Sequence, residues 1–102
     1  MTDLEMIKKC AEKMIAAGKY RVFYESGGTD DAPWVEFADG TGGDYDPLHD
    51  DAQAMALVKK FYLSIIRNDK TPDVPPHWTV TDKTWLGISP DLNRAIVECV
   101  AR

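Results

Sequence analysis

Apolar residues at Leu4, Ile7, Cys10, Ala11, Met14 and Ile15 recur at spacings of three and four, with Lys8, Lys9, Glu12 and Lys13 turned away from them. That is the pattern of a helix with one buried face. Thr2-Asp3-Leu4-Glu5 fits a capping box and Gly18 supplies a left-handed stop, so the helix is predicted to start at about Asp3. Tyr20–Tyr24 and Pro33–Ala38 are aromatic and β-branched on either side of the polar stretch 25–32, and read as a hairpin whose Asp30 and Asp31 are solvated loop charges. A second helix is predicted after Pro47, capped by one of His49, Asp50 or Asp51, with Ala52, Met55, Ala56, Val58 or Lys59, and Phe61 on its buried face. Tyr62–Arg67 is β-prone and Asn68–Pro76 is a loop punctuated by prolines. His77–Thr81 and Thr84–Ile88 give two further strand candidates around a turn at Asp82-Lys83. Ser89-Pro90-Asp91 marks the last helix, with Ser89 as cap, Pro90 at the first position and Leu92, Ala95, Ile96, Cys99 and Val100 as its buried stripe.

The order helix, two strands, helix, two or three strands, helix predicts an α/β (α+β) domain. Its expected form is one small, mostly antiparallel sheet of about four to five strands packed with three helices. At 102 residues, with 44% hydrophobic and 28% charged, the chain suits one domain over residues 1–102.

Charge changes the picture. The net charge of -5 opposes nonspecific attachment to nucleic-acid backbones or anionic membranes. Nine acids and no Lys or Arg fall between Glu25 and Asp51. No apolar run is long enough to span a bilayer and no signal-like segment opens the chain, so a cytoplasmic protein is expected. Cys10 and Cys99 lie on apolar helix faces with no second Cys or His at ligand spacing, which predicts buried free thiols.

Candidate chemistry concentrates around the second helix. Asp44, Asp46, His49, Asp50 and Asp51 place five hard or borderline ligands within eight residues. Their order is not that of a calcium loop, and one His is too few for a zinc centre, so helix capping and solvation are the better account and no metal or other cofactor is expected. The same residues lack a second carboxylate or His placed to make a general acid and base pair. Asp39-Gly40-Thr41-Gly42-Gly43 is glycine-rich but lacks the spacing of a phosphate-binding loop. Trp34, Trp78 and Trp85 all fall in predicted strands, as cross-strand core or edge residues, with a stacking platform for a base as the alternative. His77, beside a proline pair, reads as a strand-edge residue.

The segment Tyr45-Asp46-Pro47 leading through two acids into Ala52-Gln53-Ala54, the Trp-bearing strand His77–Val80, and the terminal helix with Asp91-Leu92-Asn93-Arg94-Ala95-Ile96-Val97 resemble small phage and prophage proteins of the ABA-sandwich type, including NinX-like proteins. The resemblance covers most of the chain and implies an α/β sandwich of phage or prophage origin in a bacterial host cell. It carries no established activity and transfers no catalytic residue. The expectation is a non-enzymatic accessory protein that binds a host or phage protein through the acidic region, with Asp44, Asp46, His49, Asp50, Asp51, Trp78 and Trp85 as binding candidates. The alternative is a small-ligand protein that sequesters a nucleotide signal, with homo-oligomerisation open in either case.

Overall fold

A computed structural model describes residues 1–28, 31–69 and 73–102. Asp30 of the first loop and Lys70–Pro72 of the proline-punctuated loop, both discussed above, lie outside the described residues. The chain is α+β, with three helices and two small antiparallel sheets, and divides into two compact units, Met1–Asp46 and Pro47–Arg102.

In the first unit, helix α1 spans Asp3–Ala16. The Thr2 hydroxyl accepts the Glu5 amide at 3.1 Å and donates to the Glu5 carboxylate, so the capping pair of the sequence is in place. Gly18 ends the helix at φ 78, with its amide on the Ile15 carbonyl and the Lys19 amide on Met14. The buried face is Met6, Ile7, Cys10, Ala11 and Met14; Leu4 is exposed, which rotates the stripe slightly from the expected one.

Strands β1 (Tyr20–Tyr24), β2 (Trp34–Phe37) and β3 (Gly42–Asp44) form one sheet in that order. The expected hairpin of β1 and β2 is present, and β3 adds a third strand at Gly42–Asp44, where the sequence predicted none. Asp39 closes the β2–β3 turn by accepting the Thr41 amide and hydroxyl, Gly40 sits at φ 91, and Gly42 and Gly43 then pair with Glu36 and Val35. A strand tolerates Gly42 here because the Trp34 indole occupies the space where a Cβ would project. Aromatic cross-strand pairs hold the sheet: Tyr20 with Phe37 at 5.5 Å, Tyr24 with Trp34 at 5.6 Å, and Tyr20 edge-on to Tyr45 at 5.4 Å.

In the second unit, helix α2 spans Asp51–Phe61 and helix α3 spans Leu92–Ala101, with strands β4 (Ser64–Asn68), β5 (His77–Thr81) and β6 (Leu86–Ser89) between them. The six strands thus pair as two three-stranded sheets, β1-β2-β3 and β4-β5-β6, where one sheet of four to five strands was expected. Asp50 is the α2 cap, accepting the Gln53 amide at 3.0 Å. The α2 buried face is Ala54 and Leu57, one position away from the predicted stripe, so Met55 and Ala52 point outward. Ala54 and Leu57 are three positions apart and so lie on one face of the helix.

Two more corrections concern element ends. The predicted strand 62–67 begins only at Ser64, because Tyr62 takes the left-handed conformation (φ 53, ψ 47) that terminates α2. The α3 cap is Asp91, accepting the Arg94 amide, whereas Ser89 ends β6 and its hydroxyl accepts the Asp91 amide.

Helix α3 packs on β5 and β6 and against α2, burying Ala95, Ile96, Val97, Cys99, Val100 and Ala101. Gly87 makes the close approach possible: a Cβ there would fall on the Ala95 carbonyl and the Cys99 amide. Cys10 and Cys99 are both buried free thiols, as expected. No helix among the described residues is long and apolar enough to cross a membrane.

Candidate binding surface

Physical roles already occupy most of the acidic residues. Asp44 ends β3, opposite Trp34, and its carboxylate stands where a Cβ of Gly28 would go. Asp46 is half-buried at the end of the first unit. His49, Asp50 and Asp51 belong to the second unit: His49 is exposed, Asp50 caps α2, and Asp51 accepts the Asn93 amide group at 2.8 Å, linking the starts of α2 and α3. No group of three or more His, Cys, Asp and Glu side chains among the described residues is arranged to hold a metal ion. Asp39, not singled out for binding, has its pKa lowered by the Thr41 hydroxyl and amide, so it is ionised throughout the neutral range.

The tryptophans separate into two kinds. Trp34 and Trp78 are half-buried within strands. Trp34 covers Gly42, and Trp78 lies under the Arg67 guanidinium at 4.8 Å, opposite its strand partner. Trp85 departs from the prediction: it precedes β6, in the β5–β6 turn, and is 48% exposed. Asp82 pins that turn by accepting the Thr84 and Trp85 amides at 2.9 and 2.8 Å, and the Thr81 hydroxyl accepts the amide of Lys83, itself at φ 83. The Trp85 carbonyl takes the Cys99 thiol at 3.5 Å. Trp85 is therefore held half in water by fixed backbone.

Beside it, alternation along β6 buries Gly87 and Ser89 under α3 and turns Leu86 and Ile88 outward, 49% and 55% exposed. β6 is an edge strand of its sheet. Thr84, Trp85, Leu86 and Ile88, with Glu98 and Arg102 of α3, line a groove of about 390 Å³. Glu98 is also ion-paired to Arg94 at 3.2 Å.

Sequence reasoning placed Trp85 among the candidates but missed Leu86, Ile88, Glu98 and Arg102. The signal was present in Trp85-Leu86-Gly87-Ile88-Ser89, where small residues alternate with large apolar ones. If a helix must approach the small side, the large side faces out. Comparisons with known protein families, characterised proteins and solved structures found no match to this chain.

Proposed function

We propose that this chain works by binding a protein, with the β6 edge and its groove as the contact surface, and not by turning over a substrate. The observation that carries this reading is the trio Trp85, Leu86 and Ile88, each about half in water, at and beside a strand that among the described residues has a strand neighbour on one side only. Exposed apolar surface at a sheet edge favours an added strand from a partner, whose backbone continues the sheet while its side chains enter the groove. Because the turn is already fixed, little ordering cost falls on this side of the complex. The acid-rich first unit contributes a field that speeds encounter with basic partners. The phage or prophage origin implied by the resemblance of Tyr45–Ala56 and Asp91–Val97 is part of this proposal, since it suits a small accessory binder.

Selection of extended peptides from a displayed random library tests the reading. Binders with apolar side chains at alternate positions, lost on Leu86→Asp and shifting Trp fluorescence to the blue, are expected. A selection that yields none, or binders indifferent to Leu86→Asp, defeats it.

One observation favours a second reading, a small aromatic ligand: Trp85 and Arg102 share a groove whose volume lies in the range of small-molecule sites, about 300–1,000 Å³. A saturable Trp fluorescence change with one nucleotide of a panel, absent in Trp85→Leu, would move the assignment there.

A further inference from the structure

The partner that the β6 edge fits best is a second copy of the same chain. The two charged residues of the groove, Glu98 and Arg102, stand four positions apart on α3, hence on one face, with opposite signs. α3 runs back along β6: Gly87 lies against Ala95 and Cys99, and the Trp85 carbonyl meets the Cys99 thiol, so the last turn of the helix stands beside Trp85 and Leu86. We propose that two copies associate about a two-fold axis at the level of Val100, with their β6 edges adjacent and antiparallel.

A two-fold at that level places Arg102 of each copy opposite Glu98 of the other. Both opposite-charge contacts then arise from a single patch, the self-complementarity that an isologous interface requires. Glu98 would sit between Arg94 of its own helix and Arg102 of the other copy. On the strand side, Trp85 and Leu86 fall near the axis, so each copy's exposed apolar residues fill the other's groove. The β4-β5-β6 sheets of the two copies would join into one of six strands through the β6 edges. β6 is short, at four residues, but it carries no Lys, Pro or bulge within Leu86–Ser89, which leaves its edge able to pair. This inference rests on the reading of the β6 edge as a binding surface.

Sedimentation equilibrium and light scattering on the intact chain test it, up to about 200 μM, with charge swaps as the control. The expected wild-type mass is twice 11.4 kDa. Glu98→Arg alone and Arg102→Glu alone each place like charges across the axis and are expected to weaken the dimer by about tenfold or more. An equimolar mixture of the two single variants should form a heterodimer, and the double swap Glu98→Arg with Arg102→Glu should restore the homodimer. Rescue of that kind is beyond the reach of a mere folding defect. A wild-type mass of 11.4 kDa throughout the range, or swaps that leave the mass distribution unchanged, overturns self-association. The edge as a binding surface for other chains is then decided separately by the displayed-peptide selection, which a monomer can pass and a protein with no working edge cannot.

Discussion

The two compact units spend their large side chains differently. Met1–Asp46 carries ten acidic and five basic residues and builds part of its core from aromatic rings, with Tyr20 against both Phe37 and Tyr45 and Tyr45 fully buried. Pro47–Arg102 carries seven of each sign and builds its core from the small and aliphatic face of α3, leaving Trp85, Leu86 and Ile88 outside. A glycine sits at the tightest approach in each unit, yet the neighbour differs: an indole side chain over Gly42, helix backbone over Gly87. Large residues face water on β6 because the inner side of that strand has room only for Gly87 and Ser89.

The widest separation between the units should come from filling those two glycines. Gly87→Ala drives a Cβ into the Ala95 carbonyl, which cannot swing aside without displacing α3, and the cost is expected at about 3 kcal/mol or more. For a chain of this length that is a fall in Tm of more than about 10 °C. Gly42→Ala meets the half-buried Trp34 ring, which can rotate outward, and should cost about 1 kcal/mol. Thermal unfolding by circular dichroism checks both. Equal losses would mean that side-chain and backbone neighbours yield alike, and the contrast drawn here would be wrong.

How far the sequence reached follows the same physics. Helices and strands with strong local signals were legible: the Thr2–Glu5 cap, the Gly18 stop, the aromatic hairpin and the two buried thiols stand where the pattern put them, and of the α3 stripe Ala95, Ile96, Cys99 and Val100 are buried, joined by Val97 and Ala101, while Leu92 is only half-buried. Elements whose reason lies in a distant residue were not. Gly42-Gly43 has little strand propensity of its own and becomes β3 through its pairing with Glu36 and Val35, where the Trp34 indole leaves no room for a side chain on Gly42. The division of six strands into two sheets is a matter of pairing between segments, to which local pattern is silent. Among site candidates, the acids drew attention by density, yet Asp50 and Asp51 are taken up by a helix cap and a helix-to-helix bond. The exposed edge escaped notice because an apolar strand reads as core until a helix is seen to cover only its small-residue side.

An intermediate effect should appear in alkali, and it belongs to the first unit. Burial raises the pKa of Tyr45, with smaller contributions from Tyr20 and Cys10 beside it, while Tyr24 and Tyr62 are exposed. In the unfolded chain the Tyr45 phenol ionises near pH 10. Below that pH both states hold the proton and stability is unaffected; above it only the unfolded state releases the proton, so stability falls by about 1.4 kcal/mol per pH unit. Tyr45→Phe should remove that slope while leaving stability at pH 7 within about 1 kcal/mol. Chemical denaturation at several alkaline pH values checks it, and a slope that persists in Tyr45→Phe would assign the alkaline loss to another group.

The smallest effect compares two helix ends that do the same job with different residues. α1 stops on Gly18 at φ 78, where glycine adopts the left-handed conformation without steric cost. α2 stops on Tyr62 at φ 53, whose Cβ makes that conformation costly by about 1–2 kcal/mol. The Tyr62 ring is 90% exposed and recovers little of this through burial. Tyr62→Gly relieves the strain but adds freedom to the unfolded chain worth about 0.5–1 kcal/mol, so the net gain should be about 0.5 kcal/mol. A rise in Tm of a few degrees is the expected result. A fall would show that the exposed ring makes a stabilising contact that outweighs the strain of the left-handed backbone.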